Sequence, residues 1–493
     1  MEARLPEETT TRDQTARVSG SRGELRFVRG VDLQVAFAFS AVFATALIVL
    51  TGCQSYEPRP LDSSAHIKAW QGRNLESESL RAGIERIDQD LRREVGEFNP
   101  ADGLSLAEGQ LAALVFNPEL RLARLRLARA TAGASEAASW PDPELTLNAL
   151  QLTESAPEPW VLTQGLKITL PLSGRVGAYK DLKDARQQIA RHEVREGEWG
   201  VMHALAHAWV QWSAVTLRIE ETQRHLDTLT PLVEATSKLA ASGELLSTEA
   251  ALFSLERAQR QGQLRGFRGE ADELEQRLRA AMGLAPGTAV LFLPSLTSGP
   301  PSEEGADAVA AQNPSLARLR EEYEASEQTL RMEIAKQWSD FTFGPVIESD
   351  EGRRKVGLLT GIGLPLWNAN REAIAEARID RELARAALET VHEALLGRLA
   401  AATLRAASLE QQRIDIEETL APLLDRQVAD AARLVQLGEG TTMVLLESIS
   451  RAHKTKLDWI DVRARKADAQ HERAFLIGPA RLDPLPASKE EAQ

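Results

Sequence analysis

VLTQGLKITLPL, at residues 161–172, constrains the fold of this chain more than any other segment. In an extended chain its side chains separate onto two faces, with Leu162, Leu166, Ile168 and Leu170 opposite Thr163, Gly165, Lys167 and Thr169. Such alternation over about ten residues is typical of a strand with one apolar and one polar face. A tilted strand of this length crosses a bilayer. A water-facing hairpin alternates in the same way, so the pattern alone leaves both interpretations open.

Three further segments alternate similarly: residues 144–152, 340–347 and 355–364. The apolar face carries Leu145, Leu147 and Ala149 in the first of these segments, and Phe341, Phe343 and Ile347 in the second. In the third it carries Val356, Leu358, Ile362 and Leu364, and Gly357, Gly361 and Gly363 lie on the opposite face. The sequence therefore predicts four strands in two pairs.

The two strand pairs belong to two copies of one unit. NPEL at residues 117–120 returns as NPSL at 313–316, an offset of 196, and LPL at 170–172 returns at 364–366, an offset of 194. Gly243 corresponds to Gly438, and Ser247 to Thr441. A nearly constant offset indicates an internal duplication. We therefore divide the chain into a first repeat at 104–296, a linker and start of the second repeat at 297–312, a second repeat at 313–478 and a polar tail at 479–493.

A very long helical stretch follows each strand pair. Residues 173–242 contain no proline except Pro231, and residues 367–436 contain none except Pro422. A helix of about 70 residues extends about 100 Å, far beyond the helices of a globular core. Glycine-containing turns lead into returning helices whose apolar positions are three and four residues apart, at Leu264, Phe267, Ala271, Leu274, Leu278 and Ala281 and at Leu457, Ile460, Ala464, Ala467, His471 and Ala474. These patterns predict antiparallel coiled coils, with Gly262, Gly266 and Gly269 permitting close packing.

A sheet that spans a membrane cannot leave an edge unpaired, because hydrocarbon offers no hydrogen-bond partner. Four strands are fewer than the eight of the smallest barrels. If these strands cross a bilayer, several copies must share one barrel, and three copies would supply about twelve strands. The predicted fold is therefore mainly α with β: long antiparallel coiled-coil helices forming an α-barrel, and four strands per chain contributed to a twelve-stranded trimeric transmembrane β-barrel.

The amino end carries a targeting pattern. Arg26 and Arg29 precede an apolar run at 33–50, which indicates a secretory signal, with a single transmembrane anchor as the alternative. Residues 50–53, LTGC, resemble a bacterial lipoprotein cleavage box around the only cysteine, Cys53. That resemblance implies cleavage and acylation at Cys53, and the following Gln54 favours the outer membrane. Residues 1–52 are thus expected to be the signal region, and 53–103 an acylated segment and arm.

Composition and motifs argue against several other functions. The formal net charge of −14 disfavours a nucleic-acid binder, and one cysteine permits no internal disulfide. His203 and His207 have the four-residue spacing of a zinc pair, but Ala204 occupies the position where a general base would stand, and helix packing is the favoured role. No phosphate-binding loop or nucleophile motif is evident in the sequence. We therefore expect no enzymatic activity, no metal and no cofactor beyond lipid on Cys53.

Three motifs resemble those of TolC-like outer-membrane efflux proteins. LSLAE at 104–108 with NPEL at 117–120 is similar to the family's opening motif, and WPDPEL at 140–145 to its entrance into the first strand. GEGTTMVLLE at 438–447 is similar to its helix turn at the periplasmic tip. The resemblance spans about residues 104–477. It implies a trimer, a barrel in the outer membrane and a helical tunnel across the periplasm, working with a periplasmic adaptor and an inner-membrane pump.

The resemblance also suggests site residues. Glu447 would be an acidic position at the tunnel entrance, although Val444 stands where the family often has a second acidic residue. The tip turns, with Gly243, Ser247, Gly438 and Thr441, would face the adaptor. The alternatives are a solvated Glu447, and glycines that simply end helices followed by capping hydroxyls. Two other protein classes also stay open: a periplasmic adaptor lipoprotein with coiled-coil hairpins, and a structural coiled-coil scaffold.

Overall fold

A computed structural model describes residues 56–87, 98–151, 153, 160–297, 305–350, 353–437 and 439–479. The predicted signal region, the lipid site at Cys53, the tip residue Gly438 and all but the first residue of the predicted polar tail lie outside these residues. The chain divides into two units, Met1–Ser63 and Ser64–Gln493. In the first unit, the described residues 56–63 are exposed. The sheet, the long helices and the candidate site described below lie in the second unit.

The element order is the same in both repeats. Two short helices come first, α1 (Ser63–Gln71) and α2 (Glu78–Ile84). The first repeat then comprises α3 (Leu106–Phe116), α4 (Pro118–Ser135), β1 (Glu144–Gln151), β2 (Trp160–Leu170), α5 (Arg175–Ser242) and α6 (Ser247–Ala281). The second comprises α7 (Ala306–Gln312), α8 (Pro314–Ala335), β3 (Phe341–Asp350), β4 (Arg353–Ile362), α9 (Arg371–Ile414), α10 (Ala421–Gln436) and α11 (Thr442–Ile477).

The Asn-Pro pairs create the helix boundaries that open each repeat. The Asn117 side chain accepts hydrogen bonds from the backbone N–H groups of residues 119 and 120, and Pro118 occupies the first helical position of α4. Asn313 caps α8 in the same way. Both features are strong helix-start signals, because the asparagine satisfies unpaired N–H groups and the proline lacks one. Ser105 and Glu108 form a complete capping box at the start of α3.

The long helices are present, but the second is interrupted. Helix α5 has 68 residues and continues through Pro231. The expectation of a second unbroken α-helix is wrong: a π-helical segment occupies Asp415–Leu420, between α9 and α10. Pro422 lies two residues after this segment, and a proline removes one backbone hydrogen bond and clashes with the carbonyl four residues earlier. Widening the preceding turn is one way in which a helix accommodates this defect.

Both predicted coiled-coil seams are largely buried. Leu264, Ala271, Leu274 and Leu278 pack inward on α6, and Ile460, Ala464 and Ala467 do so on α11. The largest apolar core joins α2, α3, α5 and α6 around Trp209 and Phe292, whose rings meet edge to face. Close packing at the α6 glycines is not observed within this chain, because a Cβ on Gly266 or Gly269 would meet nothing within 4 Å. No helix in the described ranges combines the length and the apolar character of a membrane span.

Candidate functional site: an exposed sheet and a helical tip

The four strands form one antiparallel sheet in the order β1-β2-β3-β4. Its register aligns the apolar residues of all four strands on one face, which confirms the alternation read from the sequence. This face carries Leu145, Leu147, Ala149, Leu162, Leu166, Ile168, Leu170, Phe341, Phe343, Pro345, Ile347, Val356, Leu358 and Ile362. Only a few polar residues, such as Gln164 near its middle and Arg354 at one end, interrupt it.

The apolar face is open. Leu147 retains 70 % of its accessible surface, Val356 retains 80 %, and most of the other large residues on this face are also exposed. Tryptophans lie near both ends of the sheet: Trp140, Trp338 and Trp367 on the side of the helices, and Trp160 at the far end. A water-soluble monomer rarely exposes a continuous apolar surface of this kind. Aromatic residues at both margins of an apolar band are typical of a membrane interface.

The opposite face is polar and contains ion pairs. Lys167 Nζ lies 2.9 Å from Glu144 Oε2, across β1 and β2. At the far end of the β3–β4 hairpin, Lys355 Nζ lies 3.1 Å from Glu348 Oε1 and 2.7 Å from Asp350 Oδ2. Strand β3 continues past the predicted Ile347 to Asp350, and β4 begins at Arg353, before the predicted Lys355. The predicted strand end at Leu364 is also wrong, since β4 ends at Ile362.

Both outer strands of the sheet have a free edge among the described residues. Strand β1 pairs only with β2, and β4 pairs only with β3. Each edge therefore presents backbone N–H and C=O groups that can pair with another strand. A sheet with an apolar face and two open edges is incomplete as an isolated chain.

The two helix turns opposite the sheet are built alike. The Leu239 carbonyl accepts the N–H groups of Glu244 and Leu245, at 2.9 and 3.1 Å. The Leu434 carbonyl accepts those of Glu439 and Gly440, at 3.0 and 3.1 Å. Gly243 ends α5 in the left-handed region with φ of 81°, a conformation that favours glycine.

The predicted hydroxyl caps are absent. Ser247 is the first residue of α6, whose N-cap is Leu246. Thr441 occupies the N-cap of α11, but its side chain makes no capping hydrogen bond. Both residues are exposed. The hydroxyls at these positions are thus available on the surface rather than engaged with the helix ends.

The two turns lie side by side. Thr442 Oγ1 donates to Glu249 Oε2 at 2.9 Å, which links the start of α11 to α6. Behind this contact, α5, α6, α10 and α11 share an apolar core of Leu229, Val233, Phe253, Ala431, Leu445, Leu446 and Ile449. We call the region formed by the two turns and this core the helical tip. The shared core of the two turns was not predicted from the sequence.

Glu447 lies on the surface of the helical tip. Its Oε1 accepts a hydrogen bond from Arg451 Nε at 2.5 Å, one helical turn along α11. Both side chains are exposed, so the pair is worth little in stability but does place a positive charge beside the carboxylate. The pairing of Arg451 with Glu447 was not predicted, although their spacing of four residues on a helix could have indicated it.

The two histidines with zinc-like spacing are engaged otherwise. The His203 ring stacks on Phe475 with a centroid distance of 4.2 Å. His207 Nδ1 pairs with Asp468. Burial lowers the pKa of His203, and the neighbouring His207 and His471 lower it further, against Asp468, which raises it. Across the described part of the chain, no three histidine, cysteine or acidic side chains are grouped so that they could hold a metal ion.

The duplication continues into individual hydrogen bonds. Asn117 Nδ2 donates to the Ala281 carbonyl at 2.9 Å, and Asn313 Nδ2 donates to the Leu476 carbonyl at 2.8 Å. Each asparagine thus ties the start of its repeat to the end of the returning helix. In the sheet, Thr146 Oγ1 donates to the Gly165 carbonyl and Thr342 Oγ1 to the Gly361 carbonyl, both at 3.1 Å.

No protein-family model matches this chain, and no curated protein matches it. Solved structures do. The outer membrane protein VceC from Vibrio cholerae aligns with a TM-score of 0.65 and 17 % identity, over 76 % of this chain and 96 % of VceC. The outer-membrane channel OprN aligns with a TM-score of 0.67 and 16 % identity, over 86 % and 98 %. The Campylobacter jejuni CmeC outer membrane channel aligns with a TM-score of 0.67 and 12 % identity, over 90 % of this chain and 98 % of CmeC.

These alignments cover nearly the whole of each solved chain. At such low sequence identity they establish the architecture. The chain therefore has the TolC-like fold of these outer-membrane channels.

Proposed function

We propose that this chain is one subunit of a passive trimeric exit duct in the bacterial outer membrane, within a tripartite efflux system for small molecules or ions. The observation that carries the proposal is the sheet, whose continuous apolar face is exposed within a TolC-like fold. Lipid is the environment in which such a face is stable, and a polar face behind it suits a water-filled lumen.

The open sheet edges support a shared barrel. If β1 of one copy pairs with β4 of the next, three copies close a barrel of about twelve strands, within the range of known outer-membrane barrels. Each copy would also contribute its helical hairpins to one tunnel. Helix α5 alone has 68 residues, which corresponds to about 100 Å at 1.5 Å per residue.

The helical tip is the surface that we assign to the periplasmic adaptor, which in turn would connect the duct to an inner-membrane pump. Gly243, Ser247, Gly438 and Thr441 are the proposed contact positions. In support, the exposed hydroxyls of Ser247 and Thr441 are not used in helix capping. The shared apolar core behind them would hold both turns in one orientation.

Anchoring by lipid on Cys53, after removal of a signal at residues 1–52, completes the proposal. The LTGC sequence at residues 50–53 supports lipid anchoring at this position. The duct would have no catalytic residues and no cofactor other than this lipid, because transport through an open pore requires no chemistry.

Two alternatives fit less well. A periplasmic adaptor is expected to have one central hairpin flanked by β-domains, whereas this chain has two long hairpins whose strand pairs join in one sheet. A coiled-coil scaffold would need neither the sheet nor its exposed apolar face.

A matched pair of substitutions on β1 tests the membrane assignment. Leu147 and Asn148 are adjacent and exposed but point to opposite faces. Arginine at a lipid-facing position near the bilayer midplane costs about 2–4 kcal/mol, whereas arginine toward a water-filled lumen costs little. We expect Leu147→Arg to lower the amount of folded, membrane-inserted protein and Asn148→Arg to leave it near the wild-type level. Equal tolerance of both substitutions in membranes would contradict a lipid-facing sheet.

At the helical tip, we propose that Glu447 lines the tunnel entrance and that Arg451 moderates its charge. A ring of carboxylates favours cations in a pore, and an adjacent ring of guanidinium groups opposes that preference. In reconstituted channels, Arg451→Gln should increase cation preference and Glu447→Gln should decrease it. Reversal potentials across a salt gradient that are unchanged in both variants would remove the pair from the entrance.

A further inference from the structure

Two buried histidines stack on each other where the two repeats meet. His225 lies on α5 and His453 on α11, and their rings are nearly parallel, with centroids 4.2 Å apart and an interplanar angle of 7°. Their relative exposures are only 6 % and 2 %. They are 228 positions apart in sequence and lie at positions that do not correspond in the duplication. The stack is therefore a contact between repeats, not a feature copied within each one.

The ring nitrogens are poorly satisfied. His225 Nε2 and both nitrogens of His453 make no hydrogen bond to any described residue. His225 Nε2 lies 3.7 Å from Glu256 Oε1, and His453 Nδ1 lies 3.8 Å from Glu221 Oε1, both beyond a normal hydrogen bond. Buried polar atoms without partners are uncommon and costly, so their presence requires an explanation.

The surrounding charges come from all three helices at this contact. On α5, Glu221 is paired with Arg224 at 2.8 Å and with Lys456 of α11 at 3.6 Å. On α6, Glu256 is paired with Arg260 at 2.8 Å and accepts a hydrogen bond from Ser450 of α11. Each carboxylate near the stack thus already has a cationic partner. Its charge is only partly available to stabilise an imidazolium.

This environment favours a neutral His225. Burial, together with the neighbouring His453 and Arg260, lowers its pKa from 6.5 to about 4, against Glu256, which raises it. Once the helices separate, His225 regains its ordinary pKa. The separated state therefore binds more protons between about pH 6.5 and pH 4, and acid shifts the equilibrium toward it. Burial alone would raise the pKa values of Glu221 and Glu256, but their cationic neighbours lower both: Lys456 and Arg224 beside Glu221, and Arg260 beside Glu256. Both carboxylates therefore stay ionised through this window.

We propose that the His225–His453 stack is a proton-sensitive contact, which loosens α11 from the α5–α6 hairpin as the pH falls below about 6. Charge on one imidazole disfavours charge on the other at this separation, and neither ring has a free anionic partner in contact. The contact with a neutral His225 holds the two hairpins together, whereas an imidazolium at His225 favours a hydrated, separated arrangement. This proposal rests on the buried contact alone and does not depend on the proposed channel function.

The location gives the contact a mechanical consequence. His453 lies eleven residues after the start of α11, and Glu256 nine residues after the start of α6. The stack is thus next to the apolar core of the helical tip, to which Leu445, Leu446 and Ile449 contribute from α11. Loosening the stack would weaken the link between the two tip turns, in a region where they otherwise share only that core and a few polar contacts.

Hydrogen–deuterium exchange on the full chain tests the proposal. Exchange is followed in residues 442–456 and 247–260 at pH 7.5 and pH 5.0, corrected for the intrinsic pH dependence of exchange. Each pH unit inside the window shifts the equilibrium by up to about tenfold. We expect protection of both segments in the wild type to fall by about ten- to thirtyfold between the two pH values.

The key variant is His225→Phe with His453→Phe, which keeps two stacked rings but removes both imidazoles. Its protection at pH 7.5 should match or exceed that of the wild type, and should change less than threefold at pH 5.0. His207→Gln is the control, because His207 also connects α5 to α11, through Asp468, but lies outside the stack. This control should keep the wild-type response.

Two results would overturn the proposal: an acid response in the double variant equal to that of the wild type, or a wild type whose protection does not change. If the double variant does not pack at pH 7.5, His225→Phe alone provides the same comparison. The His225→Phe substitution removes the imidazole that must be neutral in the closed contact.

Discussion

The two repeats hold their helices together with the same hydrogen bonds but bury them to very different extents. Asn117 and Asn313 make equivalent clamps, as do the threonine–glycine contacts in the two strand pairs. In contrast, α5 buries 21 of its 68 residues, whereas α9 buries seven of 44 and α10 one of 16. The backbone framework was thus retained after duplication, while side-chain packing diverged.

In the proposed trimer, this difference marks the helices against which a neighbouring copy would pack. Several large apolar residues on α9 and α10 are exposed, including Ile379, Leu383, Leu404 and Leu423. The first repeat is packed around the large core at Trp209, but no core of that size covers the second repeat among the described residues. In the proposed trimer, a neighbouring copy would supply this cover, as it would supply the missing strand at each sheet edge.

The largest expected effect comes from a pair of arginines that the duplication relates. Arg124 donates to the Leu114 carbonyl at 2.7 Å and Arg320 to the equivalent Ala310 carbonyl. Only Arg124 also forms a buried ion pair, with Glu198 at 3.0 Å. Breaking a buried pair by removing one partner costs about 3–5 kcal/mol, while an exposed contact contributes about 1 kcal/mol or less.

Arg124→Met should therefore lower the unfolding free energy far more than Arg320→Met, as measured by denaturant unfolding in detergent. Equal losses would mean that the carbonyl contact, which the two repeats share, matters more than the buried carboxylate.

A smaller but symmetric effect is expected at two glycines. Gly283 and Gly478 follow the returning helices with φ of 72° and 101°. A Cβ would lie 2.2 Å from the Phe116 carbonyl oxygen in the first case and 2.5 Å from that of Gln312 in the second. Backbone strain and overpacking together should make each Gly→Ala substitution cost about 3 kcal/mol.

Thermal unfolding of Gly283→Ala and Gly478→Ala measures this cost, with Gly266→Ala as a control whose Cβ meets open space. If only one of the two junction variants is destabilised, the junctions are not equivalent.

The asparagine clamps should contribute about 2 kcal/mol each. Asn117→Ala or Asn313→Ala removes a helix cap, worth about 1 kcal/mol, and a hydrogen bond to a carbonyl of comparable value. We expect similar losses of unfolding free energy in both variants. A loss confined to Asn117→Ala would show that the poorly buried second repeat does not depend on its clamp.

The smallest effect is expected in the sheet. Thr146→Val and Thr342→Val keep the side-chain shape and remove one cross-strand hydrogen bond each, at about 1 kcal/mol. Melting temperatures in detergent should fall slightly and equally. A clearly larger fall in one variant would indicate that the two strand pairs contribute unequally to the stability of the assembled protein.

Much of the fold could be predicted from local sequence patterns. Period-two alternation located all four strands, and a constant offset located the duplication. The end of β3 and the start of β4 were not predicted, because a run of charged residues such as Glu348, Asp350 and Arg353 is typical of a loop. In the sheet, these residues lie opposite residues of the other charge across the hairpin. The π-helical segment was missed because a proline signals a defect but not the form that the defect takes.

The candidate site was predictable only in part. The apolar face followed from alternation, and the turns from their glycines. The alternative role of Ser247 and Thr441 as capping hydroxyls was wrong, because neither side chain makes a capping hydrogen bond. The His225–His453 stack could not be foreseen, since it depends on the register of α5 against α11, which side-chain packing sets and no local motif encodes.

The most direct test of the central claim is the number of chains in the membrane-extracted particle, counted by native mass spectrometry in detergent. A sheet with two open edges and an exposed apolar face should be completed by two further copies. We expect three chains per particle, released from membranes only by detergent. A monomer or dimer that leaves the membrane without detergent would contradict the shared barrel.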